Sequence, residues 1–495
     1  MNFRRVRGRV LTLAVAVATL ASGLAAAATP ADAHGHTVPK VPQAATTPYM
    51  GWSSWSLQAT TMDGLNPEGS YSWLTEQHVL QQADVMATKL KSHGYTYVNI
   101  DAGWWRHWNW DPEYDAYGRP ATDTTRFPDG IAYVARQVHR KGLKLGIYMP
   151  VGLEKGGYDQ NPDAHVWGAP QCSLRDVVYP DLRTTNGWDS SYAIDYDNGT
   201  GCGQAYINSI VDEFASWGVD FLKLDGVGPG SGVGPGSTCR APAGGTCTPK
   251  DTDNYDNVPD VAAYHAAIQG SHRTILLQVS WALNQNYLSD WQAYADSWRI
   301  DNDIECYCAT LTQWTGRNGK GGVKGRFADE ALWAGDAGKS VGWNNLDSLD
   351  IGNGTMDGLT DDERQTMATL WAVSAAPLYT GDDLTKLDSE GLKLLTNDEV
   401  IAIDQAGNPA HPVSTATDQQ VWFAKNRDGS YTVALFNLGD TAATVSANWS
   451  DLGFSGTALL RDDWKHQWVG FASSGYQASL APHASMLLTV RPIGW

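Results

Sequence analysis

The chain has 495 residues, a formal net charge of −19 and 22 Trp. That length exceeds what one ordinary core needs and is enough for two or three domains. So acidic a chain is a poor partner for nucleic acid or for acidic polymers, and neither is expected.

Taken from the N-terminus, the first element is a leader. Arg4, Arg5, Arg7 and Arg9 precede an apolar stretch from Val10 to Ala28, and Ala31-Asp32-Ala33 follows as a small-residue cleavage pattern. This is the layout of a signal peptide over residues 1–33, not of a membrane anchor. No later stretch reads as membrane-spanning. The protein is therefore expected to be secreted and extracellular, with residues 34–46 as an N-terminal tail. Six Cys in an exported chain point to disulfides. Cys172 is expected to pair with Cys202, and Cys239 with Cys247, each closing a loop. Cys306 and Cys308 are one residue apart, so a bridge there would be tight and the pairing stays open. His34 and His36 read as part of the tail. No Cys/His cluster has zinc spacing, so neither metal nor cofactor is expected.

A repeating grammar begins after residue 47. Val79, Ala83, Met86, Ala87 and Leu90 share one helical face between Thr75 and Gly94, and Gly94 closes the helix. "YTYVNID" then reads as a buried strand. Val134 and Val138, Gly142 and "LKLGIYM" repeat the pattern. So do Ile207, Ile210, Val211 and Phe214 with Gly218 and "VDFLKLD", and Ala263, Ala266, Ala267 and Ile268 with Gly270 and "TILLQVS". Helix–glycine–strand units with near-continuous apolar strands predict an α/β fold with a parallel sheet. No G-x-G-x-x-G follows a strand as a nucleotide fingerprint would. The span from "YMGWSSWS" to the helix around 368–376 has room for eight units, so residues 47–404 are expected to form a (β/α)8 TIM barrel. Beyond Ile403 the pattern changes. "QVWFAKNRDGSYTVALFNLGD" holds two β-rich runs joined by Arg427-Asp428-Gly429, a hairpin signal. Residues 405–495 therefore predict a C-terminal antiparallel β-sandwich domain, packed on the barrel because no Pro/Ser/Gly-rich linker precedes it.

Barrel chemistry comes from the C-terminal ends of strands. Those ends here carry Trp52 and Trp55; Asp101, Trp104 and Trp105; Tyr148; Lys223 and Asp225; Ser280 and Trp281; Arg299, Asp301 and Asp303; and Trp343 and Asp347. Two opposed carboxylates among aromatic side chains are what glycoside hydrolysis requires. Taken singly, each residue has a plainer reading: an Asp at a strand end often caps the next helix, and a Trp more often fills core than carries sugar. Their joint placement at one barrel mouth favours chemistry.

Nine motifs in order, among them "PYMGWSSWS", "YVNIDAGWW", "WGVDFLKLDG", "SWRIDNDI" and "GWNNLDSLDIGNG", resemble glycoside hydrolase family 27, the α-galactosidase and α-N-acetylgalactosaminidase family. The resemblance runs from Thr47 to the C-terminus. It implies a (β/α)8 barrel with a β domain and a retaining exo-glycosidase acting on an oligo- or polysaccharide; from charge and the lack of a later apolar span, no nucleic-acid or membrane partner is expected. It implies Asp225 as nucleophile and Asp303 as acid/base, four residues after Arg299. Lys223 and Arg299 match sugar-binding positions, and Trp55, Asp101, Tyr148 and Asp347 match positions lining the pocket. Ser280 and Trp281 end the fifth strand and are expected at the substrate. Lys223 would hold Asp225 ionised, and Asp303, facing that carboxylate, would keep its proton to higher pH.

The chain departs from the family pattern in the shell that selects the sugar. Ala102 and Gly103 replace an aspartate and a cysteine, and that aspartate helps hold the axial 4-hydroxyl of galactose. Val227 replaces a cysteine after the nucleophile strand. Val279-Ser280 stands for Cys-Glu, and Asn345-Leu346 for Asp-Pro. The expected function is a secreted α-galactosidase-like enzyme. The alternatives are a same-family enzyme of changed specificity, cleaving β-L-arabinopyranosides or releasing isomaltose from dextran, and a non-catalytic carbohydrate-binding protein.

Overall fold

The computed structural model describes residues 45–107, 109–185, 191–228, 257–316 and 321–494. The leader, nearly all of the tail, the Cys239–Cys247 pair and most of the repeated GVGPGS hexapeptide (Gly226–Ser237) lie outside the described residues.

Eight strands form one parallel curled sheet: β1 (Met50–Ser53), β2 (Tyr97–Ile100), β3 (Lys144–Pro150), β4 (Phe221–Asp225), β5 (Leu276–Val279), β6 (Ser297–Arg299), β7 (Trp343–Asn345) and β8 (Leu378–Thr380). Their order is β7-β6-β5-β4-β3-β2-β1-β8. The remaining gap, between β7 and β8, is bridged just past β7, where Leu349 N–H donates to the Tyr379 carbonyl at 2.8 Å. The chain thus forms the expected (β/α)8 barrel. Nearly every strand residue is buried because helices cover the outside and side chains fill the inside. At the floor, Tyr49, Tyr97, Phe221, Leu276, Trp343 and Tyr379 pack together.

The helices begin and end where local chemistry requires. The Thr75 hydroxyl accepts the His78 N–H to start α1 (Glu76–Val85), which runs on through Met86–Leu90 and Lys91–His93 to Gly94 at φ 106°. Gly142 and Gly218, at φ 68° and 93°, stop α2 (Ile131–Arg140) and α3 (Cys202–Trp217) in a backbone conformation that favours glycine. Gly270 was expected to stop the fourth helix, but it is the last residue of α4 (Val258–Gly270), and the left-handed turn falls on His272, φ 56°. A capping box of Thr360 and Glu363 opens a later helix, α5 (Asp361–Val373). No helix among the described residues is long and apolar enough to cross a membrane.

After the barrel, β9 (His411–Pro412), β10 (Gln419–Lys425), β11 (Tyr431–Asn437), β12 (Ala443–Asn448), β13 (Thr457–Asp462), β14 (Gln467–Ser473), β15 (Gly475–Leu480) and β16 (Ser485–Pro492) are antiparallel. A six-stranded sheet, β9-β10-β11-β16-β13-β14, faces the β12-β15 pair. Val433, Leu435, Trp449, Leu460 and Leu488 fill the space between them. The turn at Arg427-Asp428-Gly429 closes as expected, with Asn426 N–H donating to the Ser430 carbonyl at 2.8 Å and Gly429 at φ 84°. Cys172 is bonded to Cys202, and Cys306 to Cys308.

Candidate active site

At the C-terminal ends of the barrel strands lies a cavity of about 290 Å³. Among the described residues, Asp101, Tyr148, Lys223, Asp225 and Asp303 form its polar side, and Trp55, Tyr71, Ala102, Trp110, Trp281 and Tyr307 the rest.

The polar side follows from strand register. Tyr148 on β3 pairs with Lys223 on β4, and Pro150 with Asp225, so the tyrosine hydroxyl reaches forward and donates to Asp225 Oδ2 at 2.8 Å. Lys223 Nζ donates to Asp101 Oδ2 at 2.9 Å. Burial pulls the Lys223 amine toward neutrality, but the Asp101 and Asp225 carboxylates outweigh it and raise its pKa, so the lysine stays charged between them. Asp101 is pushed up by burial, which Lys223 offsets only in part. Lys223 is thus shared by two carboxylates instead of serving Asp225 alone.

Asp303 sits on the loop after β6. Arg299 Nη2 donates to its Oδ1 at 3.0 Å, and the Tyr307 hydroxyl donates to its Oδ2. Burial raises this carboxyl, yet Arg299, Lys223 and the Tyr307 hydrogen bond together bring it below the ordinary carboxylate value. This corrects the expectation that Asp303 holds its proton to higher pH: in the free protein the neighbouring cations and donors win. Asp301, its rival two residues away, is committed to an ion pair with Arg326.

Three expected site residues stand outside the cavity wall. Arg299 is buried and reaches Asp347 Oδ2 at 2.7 Å, so that pair supports Asp303 from behind. Asp347 also accepts the Ile304 N–H at 2.7 Å and has φ 82°, a left-handed backbone unusual for a side chain with Cβ. Ser280 is buried, donating its N–H to the Leu224 carbonyl and accepting the Val227 N–H, both at 2.8 Å. These contacts hold the three residues beside the cavity. Trp52, Trp104, Trp105 and Trp343 are buried core, the plainer of their two readings.

Tyr71, Trp110 and Tyr307 also line the cavity and are not among the expected residues. All three have left-handed backbones, at φ 67°, 67° and 51°, which no strand-end rule anticipates. Trp55 stacks on Tyr71 at 5.3 Å, and Tyr71 meets Trp110 at 4.8 Å, giving a continuous aromatic wall. For Tyr307 a signal was present: it is the residue between the two closely spaced cysteines. Carboxylate oxygens of Asp303, Glu305 and Asp347 lie within 4.8 Å of one another. The Arg299 guanidinium lies against Asp303 and Asp347 and supplies the positive charge such a cluster needs. Burial and those two neighbours push Glu305 up to about 8, so it is largely protonated at neutral pH.

Family models match for Alpha galactosidase A over residues 47–164 and 247–406, and for the Alpha galactosidase C-terminal beta sandwich domain over 416–490. The stretch 165–246, with Lys223 and Asp225, falls between the matched blocks. An α-galactosidase of Cyamopsis tetragonoloba is 29% identical over 453 residues, covering 90% of this chain and 86% of its own. The GH27 β-L-arabinopyranosidase of Geobacillus stearothermophilus, solved with arabinose, superposes with a TM-score of 0.75 at 26% identity, over 91% of this chain and 98% of its own. Alpha-galactosidase I of Mortierella vinacea gives a TM-score of 0.64 at 25% identity, over 90% and 97%.

Proposed function

The chain belongs to the α-galactosidase family, glycoside hydrolase family 27, and is an α-galactosidase-like glycoside hydrolase; on that premise we propose that it is a secreted, retaining exo-enzyme that removes terminal α-galactosyl residues from oligo- or polysaccharides. The observation that carries this reading is that Asp225 and Asp303 line one cavity at the barrel mouth, each in a different hydrogen-bonded setting.

In the first step Asp225 attacks the anomeric carbon while the bond to the leaving oxygen breaks, and Asp303 gives that oxygen its proton. In the second, Asp303 takes a proton from water, and the hydroxide displaces the Asp225 ester. Tyr148 holds the nucleophile, and Lys223 balances the negative charge between Asp101 and Asp225. Asp303 is held low in the free protein, so it must gain its proton as substrate enters. A sugar that fills the cavity expels water, and desolvation raises a carboxyl. The export-type leader supports action outside the cell.

The test is a pair of variants. Asp225→Asn should lower turnover by roughly a thousandfold or more with the fold intact, because an amide cannot form the ester. Asp303→Ala should regain activity on an activated aryl glycoside when azide is added, with a glycosyl azide of retained configuration. An inverted product would sink the mechanism.

A second reading changes only the sugar. Ala102 lines the cavity where the family's galactose-holding aspartate is expected, and Trp110 packs over the adjacent Gly103, so that a Cβ added there would lie 3.1 Å from the ring. This favours a relaxed demand for an axial 4-hydroxyl. A panel of aryl α-galactoside, β-L-arabinopyranoside, α-glucoside and dextran separates the two readings.

A further inference from the structure

We propose that Tyr307 is a positioning residue for Asp303, whose hydroxyl holds that carboxyl in its working orientation and sets the pH at which it carries a proton. The inference rests on reading Asp303 as the acid/base.

The geometry is specific to the two oxygens. Arg299 takes Oδ1, and the Tyr307 hydroxyl takes Oδ2. Trp55 Nε1 donates to the Tyr307 oxygen at 3.3 Å. With the indole proton pointing at that oxygen, the phenolic proton is directed to Asp303. A carboxylate gripped on both oxygens by donors has little freedom to rotate, and donors to its charged form favour that form. The phenol stays a donor throughout the working range, because burial, and then the neighbouring Asp303 carboxylate, raise its own pKa.

The tyrosine is itself held at both flanks. Cys306 and Cys308 are joined to each other around it. The Cys308 carbonyl accepts the Thr61 N–H at 2.7 Å and the Thr60 hydroxyl at 2.9 Å. On the other side the Cys306 N–H donates to the Leu311 carbonyl at 3.3 Å. The bridge therefore presents one side chain, from a left-handed residue, into the cavity.

Other charged groups also face Asp303. Arg299 comes from β6, Lys223 and Asp225 from β4, Asp347 from beyond β7, and Glu305 from the same loop. None of these changes if the tyrosine alone loses its hydroxyl. Asp303 must be protonated to act as acid, so activity falls as pH rises through its pKa. Removing a donor to the ionised form raises that pKa.

The experiment compares the alkaline limb of kcat/KM, on a glycoside with an unactivated leaving group, in three full-length proteins: wild type, Tyr307→Phe, and protein with 3-fluorotyrosine at position 307. Both replacements are close in shape to tyrosine. Phe should move the limb up by on the order of one pH unit. Fluorotyrosine, a stronger donor, should move it down. A limb unmoved in both proteins overturns the proposal, since a packing role predicts a change in stability and none in the limb. Azide rescue of Asp303→Ala runs alongside. If rescue fails, Asp303 is not the acid and the proposal falls with that reading. If rescue succeeds and the limb stays, only the role of Tyr307 falls.

Discussion

At the scale of single residues, Ala102 carries the proposed change in sugar preference. Its carbonyl takes the Gln58 amide at 2.8 Å, and its methyl lines the cavity beside Asp101. No polar atom of Ala102's side chain can hold a sugar hydroxyl. Leaving a buried hydroxyl without its partner costs about 1–3 kcal/mol. At about 1.4 kcal/mol per decade that is roughly a ten- to hundredfold loss of discrimination. Ala102→Asp should therefore shift the kcat/KM ratio of aryl α-galactoside to aryl α-glucoside toward galactose by that factor. A wild type already strongly selective for galactose, with the variant merely slower, would mean that another group holds the 4-hydroxyl. Ala102 was legible from the sequence because a motif surrounds it. Tyr71 and Trp110 were not, because their approach to the cavity depends on loop backbone at positive φ that hydrophobic periodicity does not report.

At the scale of elements, the strand ends were the readable part. Period and glycine stops located β2, β3 and β4, and period alone located β5; the register of the first three brings Tyr148 and the residue after β2, Asp101, to Lys223 and Asp225. What sequence could not separate was wall from support. Arg299 ends its strand and Ser280 and Asp347 lie just past theirs, and each is also bonded to buried neighbours: Arg299 to Asp347, Asp347 to the Ile304 N–H, and the Ser280 backbone to Leu224 and Val227. Loops are the other weak point, and disulfides partly fix them. Cys172 lies in the strand Ala169–Ser173, and Cys202 opens α3, with a sequence separation of 30. Closing a loop of that length removes unfolded-state entropy worth roughly 3–4 kcal/mol. Replacing both cysteines by serine should lower the urea midpoint correspondingly while leaving kcat largely unchanged, because neither residue lines the cavity. An unchanged midpoint would show that the bridge constrains nothing the unfolded chain would otherwise explore.

At the scale of the whole molecule, the barrel and the β domain share a core. Trp422, Phe436, Trp464 and Leu487 of the β domain belong to the same buried cluster as the barrel's own interior. Phe436 meets Phe327 edge-on at 4.8 Å, and Trp464 Nε1 donates to Thr369 Oγ1 on α5 at 2.9 Å. Further bonds cross at Gln365 to the Ser485 carbonyl, 3.1 Å, and Thr366 to the His483 carbonyl, 2.6 Å. An interface built like an interior, with aromatic anchors and satisfied polar groups, does not behave as a hinge between independent parts. Two consequences can be measured. Phe436→Ala, deleting an aromatic ring from the shared core, should cost about 3–5 kcal/mol. It should do so without splitting the thermal transition, because both units lose the same contact. A chain ending after residue 406 should lose activity and aggregate, although every cavity-lining residue described here precedes that point. The reason is that α5, almost wholly buried, would expose the face that now packs on β16 and Trp464. A truncated barrel that melts at the full-length temperature with full kcat would show instead that the β domain is an appendage.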